Sequence, residues 1–476
     1  MKKQYPRKEF LKLTILANLG LYINPLKFID KKTRDNFFFS PTADNVLYFK
    51  KGDEAYETLR KGFNKRINKF PQIIAQCLNT KGVSEAIIYA VKNKLPVAIK
   101  SGGHCMEGFS VNNGGMVINL SSLNSVELNN DVVTVGPGCT LSKLYDAILP
   151  KGRYFPGGSC GGVGIGGLTL GGGYGLLSRK FGLTCDSLQE ITMVDGKGKI
   201  ISSIDDKDLL WACKGGGNGN FGVITQLKFK TYTAPNSLQS FRFRYYKLNT
   251  VSAKGFLKKW FEASADLPVS CFSAFVLNGK TGYILLTNCD KNTEKVQKFV
   301  SIFSKDADKF TQTQPQPLAQ SLKVFYGQKD PLYFKNASAG LYKNFGEIDN
   351  YIDKVLDIVI STPGMIYQVN TLGGNINNAD FEKASAFAHR SSIYFSELQT
   401  YWPDPKQESR FIQRFETVQS IFSANGITTQ YRNYPDLNFK NWNALYYGSN
   451  YAKLQQIKNK YDPGNVIRHE QSIKNS

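Results

Sequence analysis

A histidine and a cysteine, each framed by glycine and standing 56 positions apart, constrain this 476-residue sequence more than any other feature. His104 closes the stretch Lys100-Ser101-Gly102-Gly103-His104. Cys160 lies within Pro156-Gly157-Gly158-Ser159-Cys160-Gly161-Gly162-Val163-Gly164-Ile165-Gly166-Gly167. Such segments lack the side chains that build a packed helix or strand. They suit loops in which backbone approaches a ligand closely and presents N–H groups to a phosphate. The chain has only three histidines, so one inside a tight glycine loop is not surface filler. Imidazole nitrogen and cysteine sulfur can both form stable bonds to an electrophilic carbon. The bland alternatives are a turn histidine bonded to its own loop and a buried thiol.

The bulk properties narrow the function classes. The length and a 41% hydrophobic content predict two or three domains with ample core. The 25 Tyr and 32 Phe suit a pocket for a planar cofactor or ring substrate. A net charge of +22 raises nucleic acid or an anionic membrane as partners. No nucleic-acid motif or long basic block accompanies it, so it reads as solvated surface charge. Eight cysteines occur without a C-x-x-C pair, so neither a metal site nor a disulfide framework is expected. Cys77, Cys185 and Cys213 read as buried thiols. The N-terminus, Arg7-Lys8-Glu9-Phe10-Leu11-Lys12 followed by an apolar run from Leu13 to Ile23, resembles a degenerate twin-arginine export signal or else an amphipathic helix. The expected location is periplasmic or secreted in the first case and cytoplasmic in the second. No segment has the roughly 20 apolar residues of a membrane span.

Periodicity supplies the scaffold. Val83, Ala86, Ile87, Ala90 and Val91 recur at helical spacing, and a buried strand from Leu95 to Ile99 runs into the His104 loop. Met116–Leu120 and Val132–Val135 read as strands and 141–148 as a short helix. Ile191–Val194 and Ile200–Ser202 read as a hairpin with an Asp195-Gly196 turn. The segment 157–175 reads as too glycine-rich for regular structure. Gly215 to Asn220 forms a second glycine loop, feeding a strand from Phe221 to Leu227. Near 235 glycine thins out and aromatic strands follow (Phe241–Tyr246, Phe272–Leu277, Tyr283–Thr287), which predicts a second α+β domain. The tail, 440–473, reads as one helix and an extended end.

Two familiar motifs match only in part. Gly157-Gly158-Ser159-Cys160-Gly161 has the form of a nucleophile elbow but lacks the buried strand that must precede it. Gly162, Gly164 and Gly167 match the dinucleotide fingerprint, but glycines at 171–173 and 175 make the required helix poor. A flavin is a third reading, beside a turn histidine and a buried thiol. Its isoalloxazine ring is electrophilic at the 8α and C6 carbons, and glycine loops can hold its pyrophosphate.

The same residues carry a resemblance to the berberine-bridge-enzyme-like flavoproteins, within the fold shared with vanillyl-alcohol oxidase. The match runs from Phe63-Asn64-Lys65-Arg66 through Ser101-Gly102-Gly103-His104, Gly108, Gly158-Ser159-Cys160 and Gly171-Gly172-Gly173-Tyr174-Gly175. It continues through Arg179 to Leu183, Trp211 and Gly215 to Thr225. It ends in Tyr447-Gly448-Ser449-Asn450-Tyr451, Tyr461 to Val466 and Gln471-Ser472-Ile473. The resemblance implies an α+β fold: a PCMH-type FAD-binding domain of two subdomains, and a substrate domain whose antiparallel sheet is covered by helices. The expected boundaries are an N-terminal segment at 1–55, the FAD domain at 56–237, the substrate domain at 238–435 and a C-terminal segment at 436–476 that returns to the FAD domain. It implies FAD attached twice, through His104 to the 8α carbon and Cys160 to C6. Ser101, Gly102, Gly103, Gly108, Gly158, Ser159, Val163, Gly164, Gly167, Gly172, Gly173, Gly175, Val223, Tyr447 and Asn450 are implied to line the cofactor. Valine at 163 goes with oxygen access in relatives.

The resemblance also implies the reacting groups. Tyr431-Arg432-Asn433-Tyr434-Pro435-Asp436 matches a segment whose second tyrosine, Tyr434, stands at the position of the catalytic base. A tyrosine with a pKa near 10 needs help in that role. Glu397 matches an acidic or amide position lining the substrate pocket. Strand alternation puts Phe395, Glu397 and Gln399 on one face. His389 reads as structural, and His469 has no assigned role. The expected function is an FAD-dependent oxidase that takes hydride from an alcohol-bearing carbon of a sugar, aromatic alcohol or secondary metabolite and passes electrons to oxygen. A dehydrogenase with another acceptor and a noncatalytic flavin- or carbohydrate-binding protein remain as alternatives. The expected partners are a small-molecule substrate and O2, with no nucleic acid and no stable membrane insertion, in a monomer or weak dimer.

Overall fold

A computed structural model describes residues 45–476; the basic N-terminal stretch discussed as an export signal lies outside them. Among the described residues no helix is long and apolar enough to cross a membrane, and no group of His, Cys, Asp and Glu could hold a metal. All eight cysteines are free, and Cys77, Cys185 and Cys213 are buried.

Three sheets organise the α+β architecture. The first has the order Val46–Phe49, Ile73–Cys77, Met116–Asn119, Val97–Lys100. Its last three strands run parallel and are almost wholly buried, as parallel strands generally are. The helix Thr80–Lys92 covers it, capped by the Asn79 side chain, which accepts from the Gly82 amide. Val83, Ala86, Ile87 and Ala90 face the sheet as their spacing predicts. Val91, expected with them, turns outward and is 45% exposed. Beyond the sheet's free edge, Val97 bonds to Val466 and Arg468 of the tail, and Ile467 enters the same core.

The second sheet is antiparallel: Val126–Asn129, Val132–Val135, Gly222–Lys230, Leu188–Asp195, Ile200–Ser202. The expected hairpin between its last two strands forms, but its turn shifts. Gly198 takes the left-handed conformation, and the Asp195 carboxylate accepts from the amides of Lys197 and Lys199. Three loop residues ending in a left-handed glycine displace the two-residue Asp-Gly turn.

The third sheet runs Lys309–Gln312, Ser237–Tyr245, Thr281–Asn288, Cys271–Asn278, Met365–Thr371, Tyr394–Trp402, Tyr333–Tyr342, with Gln316–Pro317 paired beside Ser237–Tyr245. Its two faces differ as period-two alternation requires. Cys271, Phe275 and Leu277 point into an apolar core shared with the helices Thr250–Ser264, Glu294–Ser304, Ile352–Ser361 and Glu408–Ala424. Phe272, Ala274, Val276 and Asn278 point the other way, onto a cavity.

Two expectations about regular structure need correction. The stretch 157–175 contains a short helix, Ile165–Leu170. Its glycine content is tolerated because Ile165 and Leu170 are buried and Pro137 occupies the space a side chain on Gly166 would need, 2.9 Å from its Cβ position. The tail forms two helices, Trp442–Tyr447 and Tyr451–Tyr461, because Gly448 adopts a positive φ between them.

A tight joint lies between the two glycine loops. A Cβ on Gly102 would strike the Gly164 amide and come within 2.9 Å of its Cα, and one on Gly164 would strike Gly102 in return. Gly255, by contrast, is exposed within its helix with nothing within 4 Å of its Cβ position. Gly102→Ala or Gly164→Ala should therefore cost about 3 kcal/mol or more, whereas Gly255→Ala should stabilise by about 0.5–1 kcal/mol. Thermal melts of the three variants beside the parent chain check both signs.

Candidate active site

The loop bearing His104 is held at its base by a lysine. Lys100, the last residue of its strand, is 8% exposed. Its ammonium donates to the carbonyls of Leu59, at 2.6 Å, and Lys61. Burial lowers its pKa to about 8. Ser101 then donates to the Pro137 carbonyl at 2.6 Å, and Gly103 turns the chain at φ 72°. The His104 ring stacks on Phe63 at 4.5 Å and 13°. Burial lowers its pKa to about 4, so the imidazole is neutral at physiological pH. A side chain on Gly162 would lie 3.1 Å from its Nε2. No hydrogen bond to His104 occurs among the described residues, which removes the reading of a turn histidine satisfied by its own loop.

Cys160 reaches the same cavity from the neighbouring loop. That loop is pinned by backbone bonds on both sides: Gly161 N–H to Tyr326 O at 3.0 Å, Ser142 N–H to Gly161 O at 2.9 Å, and Leu141 N–H to Val163 O at 3.0 Å. The Cys160 side chain is exposed by area, yet burial, followed by the charge of Glu397, pushes its thiol up to about 11. The two observations agree once its setting is considered, because the surface it exposes is cavity wall. It is therefore a thiol facing the cavity, not one sealed within the core.

The cavity is about 450 Å³ and lies between these loops and the third sheet, within the size range of small-molecule sites. Ser101, Gly102, Gly103, Gly158, Ser159, Val163, Gly164 and Gly167 all line it with His104 and Cys160. Seven residues expected there do not. Gly108 packs on Ile67, Gly172 on Phe387, Gly173 on Thr184 and Gly175 on the Gly157 carbonyl. Val223 is fully buried in the first sheet's core. The Tyr447 hydroxyl accepts from Arg432 Nε at 2.9 Å. Asn450 donates to the Ala386 carbonyl at 3.2 Å and borders a separate pocket. These glycines serve close packing of the chain on itself.

On the opposite wall, strand Tyr394–Trp402 presents Glu397, Gln399 and Tyr401 to the cavity, while Leu398 between them enters the helix-side core. Glu397 is 6% exposed. Asn336 and Asn370 donate to its two oxygens at 3.2 and 3.3 Å. Burial outweighs these bonds and raises its carboxyl to about 7. Tyr434 stacks on Phe395 at 5.4 Å and meets Tyr431 edge-on at 5.3 Å. Its carbonyl accepts from the Ser338 amide at 2.9 Å, where the strand Tyr333–Tyr342 bulges. Burial, with Glu397 close by, holds the Tyr434 hydroxyl well above the usual tyrosine value.

The segment around Tyr434 is clamped onto the glycine loops. Asn433 donates to Leu168 O at 2.9 Å, Gly173 N–H donates to the Tyr431 hydroxyl at 3.0 Å, and Asn218 donates to Gly167 O at 2.9 Å. The structure adds two wall residues without a sequence-derived role. His469 stacks on Phe109 at 4.4 Å, with Nε2 3.2 Å from the Asn218 carbonyl. Arg432 lies beside it. The scarcity of histidine is the one signal that could have drawn attention to His469. His389 is structural, as expected: Nε2 meets the Leu445 carbonyl at 2.8 Å, and the neighbouring Arg390 forms a buried pair with Asp186 at 2.6 Å.

The wall chemistry suits FAD. Glycine backbone offers amides without side chains, a neutral unbonded imidazole and a thiol reach the same space, and Val163, Leu168 and Ile224 supply apolar surface. Comparisons with known proteins agree. Residues 71–203 match the family model described as FAD binding domain, and residues 430–474 match Berberine and berberine like. The FAD-linked oxidoreductase YvdP of Bacillus subtilis is 32% identical, covering 89% of this chain and 96% of its own. The chitooligosaccharide oxidase of Gibberella zeae is 28% identical over 89% of this chain and 91% of its own. The solved Physcomitrella patens BBE-like 1 superposes with a TM-score of 0.83 at 23% identity, covering 91% of this chain and 98% of that one. The fold, the two matched domains and the whole-length relative together establish that this chain belongs to the berberine-bridge-enzyme-like FAD-linked oxidoreductases.

Proposed function

We propose that the protein is an oxidase that removes hydride from an alcohol-bearing carbon, with FAD held through both His104 and Cys160. Bound FAD supplies the two-electron acceptor and the route from substrate to oxygen. His104 would hold the 8α side of the ring and Cys160 the C6 side, from adjoining loops of one wall. Val163, three residues after Cys160 and on the same wall, is consistent with access for oxygen.

The observation that carries the proton chemistry is the state of Glu397. A carboxyl at about 7 is poised to exchange a proton at neutral pH, whereas Tyr434 is held protonated by its surroundings. Tyr434 receives the substrate hydroxyl proton only as it gives up its own, and Glu397 is the nearby group able to keep it. Tyr434, expected from sequence as the base in need of help, thus works with Glu397. Asn336 and Asn370 hold the carboxylate in place, and Phe395 fixes the tyrosine ring.

Acid-precipitated protein should stay yellow. His104→Ala and Cys160→Ala should each retain the flavin through the remaining bond, and only the double variant should release it. Colourless precipitate from the parent chain rejects double attachment.

Because Glu397 must be ionised to accept a proton and its pKa is raised, kcat/KM should climb with pH through about 7 and then level off. Glu397→Gln should abolish that inflection, and Tyr434→Phe should slow anaerobic flavin bleaching by about a hundredfold or more while the visible spectrum persists. A flat profile in the parent chain, or unchanged bleaching in Tyr434→Phe, rejects these roles.

A further inference from the structure

The strand register places one straight row of residues across the cavity face of the third sheet. Glu397 stands opposite Gln368, Gln368 opposite Val276, Val276 opposite Tyr283, and Tyr283 opposite Arg244. All five line the cavity. The row continues to Lys309 on the edge strand. Arg242, two residues before Arg244, shares its face and also lines the cavity. The floor thus carries its acid at one end, beside Tyr434 and Cys160, and its cations at the other.

The arginines are not spent on the fold. Neither side chain forms an ion pair or hydrogen bond among the described residues. Their near contacts are rings, with Arg244 5.4 Å from the Tyr283 ring and Arg242 6.0 Å from that of Phe325. Burial and the neighbouring charge of Arg244 lower the Arg242 pKa, so the Arg242 cation stands where a counter-charge would favour it. The carboxylates closest in sequence to the cationic edge are engaged elsewhere: Asp306 pairs with Lys259 at 3.0 Å, and Asp308 accepts from the Tyr246 amide at 2.7 Å. Two half-buried like charges on a cavity wall, without a counter-charge, lack an anion.

We propose that the substrate is a hydroxyl-rich, anionic molecule whose carboxylate or phosphate group is bound by Arg242 and Arg244 while its reacting carbinol lies over Glu397. The proposal rests on the oxidase reading for the position of the reacting carbon. Four strand steps of about 4.8 Å put the Cα atoms of Glu397 and Arg244 roughly 19 Å apart. Even with the guanidinium reaching inward, that span exceeds one sugar ring, so the molecule has at least two rings or a ring with an extended arm. The rungs between offer hydroxyl partners, since Gln368, Tyr283 and Asn278 all face the cavity. Arginine suits the anionic end because its fork pairs with two oxygens at once.

The test uses the holoenzyme and three probes: trigalacturonate, maltose 1-phosphate and neutral maltotriose. Binding is read from the flavin difference spectrum and turnover from anaerobic bleaching. At least one anionic probe should outbind maltotriose by about tenfold or more, with a preference that shrinks as salt is raised. Preference for trigalacturonate assigns a carboxylate, and preference for maltose 1-phosphate a phosphate. The pair R242Q/R244Q should cut the anionic-over-neutral ratio by about tenfold or more, and R242K/R244K should restore part of it. Maltotriose binding as well as both anions, binding of neither anion, or a preference that survives in R242Q/R244Q overturns the proposal. An anionic probe that binds with the expected preference yet never bleaches the flavin overturns the oxidase reading and leaves the anion site standing.

Discussion

The site depends on a contact made almost wholly of backbone. Gly102 and Gly164 meet with no room for a Cβ on either, and this contact brings the His104 loop and the Cys160 loop onto one wall. Of the side chains only the Ser101 hydroxyl crowds the joint, so it is secured mainly from outside. Lys100 is fixed into the carbonyls of Leu59 and Lys61, Ser101 into that of Pro137, and the Cys160 loop into Ser142 and Tyr326. A wall of bare amides is the form that admits a pyrophosphate closely, and the same bareness leaves the Nε2 side of His104 open. Glycine here fixes the position of two nucleophiles by removing everything that could keep their loops apart.

A buried charge cluster sets the opposite wall against this one. Lys335 contacts Glu107 at 2.9 Å and Asp436 at 2.8 Å, and Arg66 contacts the second Glu107 oxygen at 2.8 Å. Two cations and two carboxylates balance, which is the condition for burying them at all. Such groups add little net stability, but losing one partner costs about 3–5 kcal/mol, so they enforce geometry. Glu107 follows the His104 loop, Asp436 follows Tyr434, and Lys335 precedes Asn336, which holds Glu397. One cluster thereby fixes the spacing between the cofactor wall, the tyrosine and the carboxylate.

What could be read from sequence follows the range of the interaction. Helix Thr80–Lys92, the aromatic strands and the placement of Glu397 on the same strand face as Gln399 follow from local periodicity. His104 and Cys160 stood out because glycine framed them. The glycines themselves divided poorly. Gly164 and Gly167 line the cavity, while Gly173 and Gly175 press against Thr184 and Gly157. Close approach to a ligand and close approach to one's own chain demand the same residue, so sequence cannot separate them. The place of His469 on the wall beside Arg432 depends on the tail folding back past Val97, and the row from Glu397 to Arg244 on the register of five strands spread over more than 150 positions. Neither leaves a local trace.

The row also gives a physical reason for the proposed double attachment. A cavity whose floor is a broad sheet open along several strands cannot close over a flavin as a narrow pocket does, and each face left free for substrate is a face that contributes no contact to the cofactor. Bonds through His104 and Cys160 would replace that missing enclosure at the ring's edge, leaving the face above Glu397 free. The proposed long anionic substrate and the proposed double tether are then linked. The longer the cleft must be, the less non-covalent surface remains to hold the ring, and the more its position depends on the two residues anchored by the Gly102–Gly164 contact.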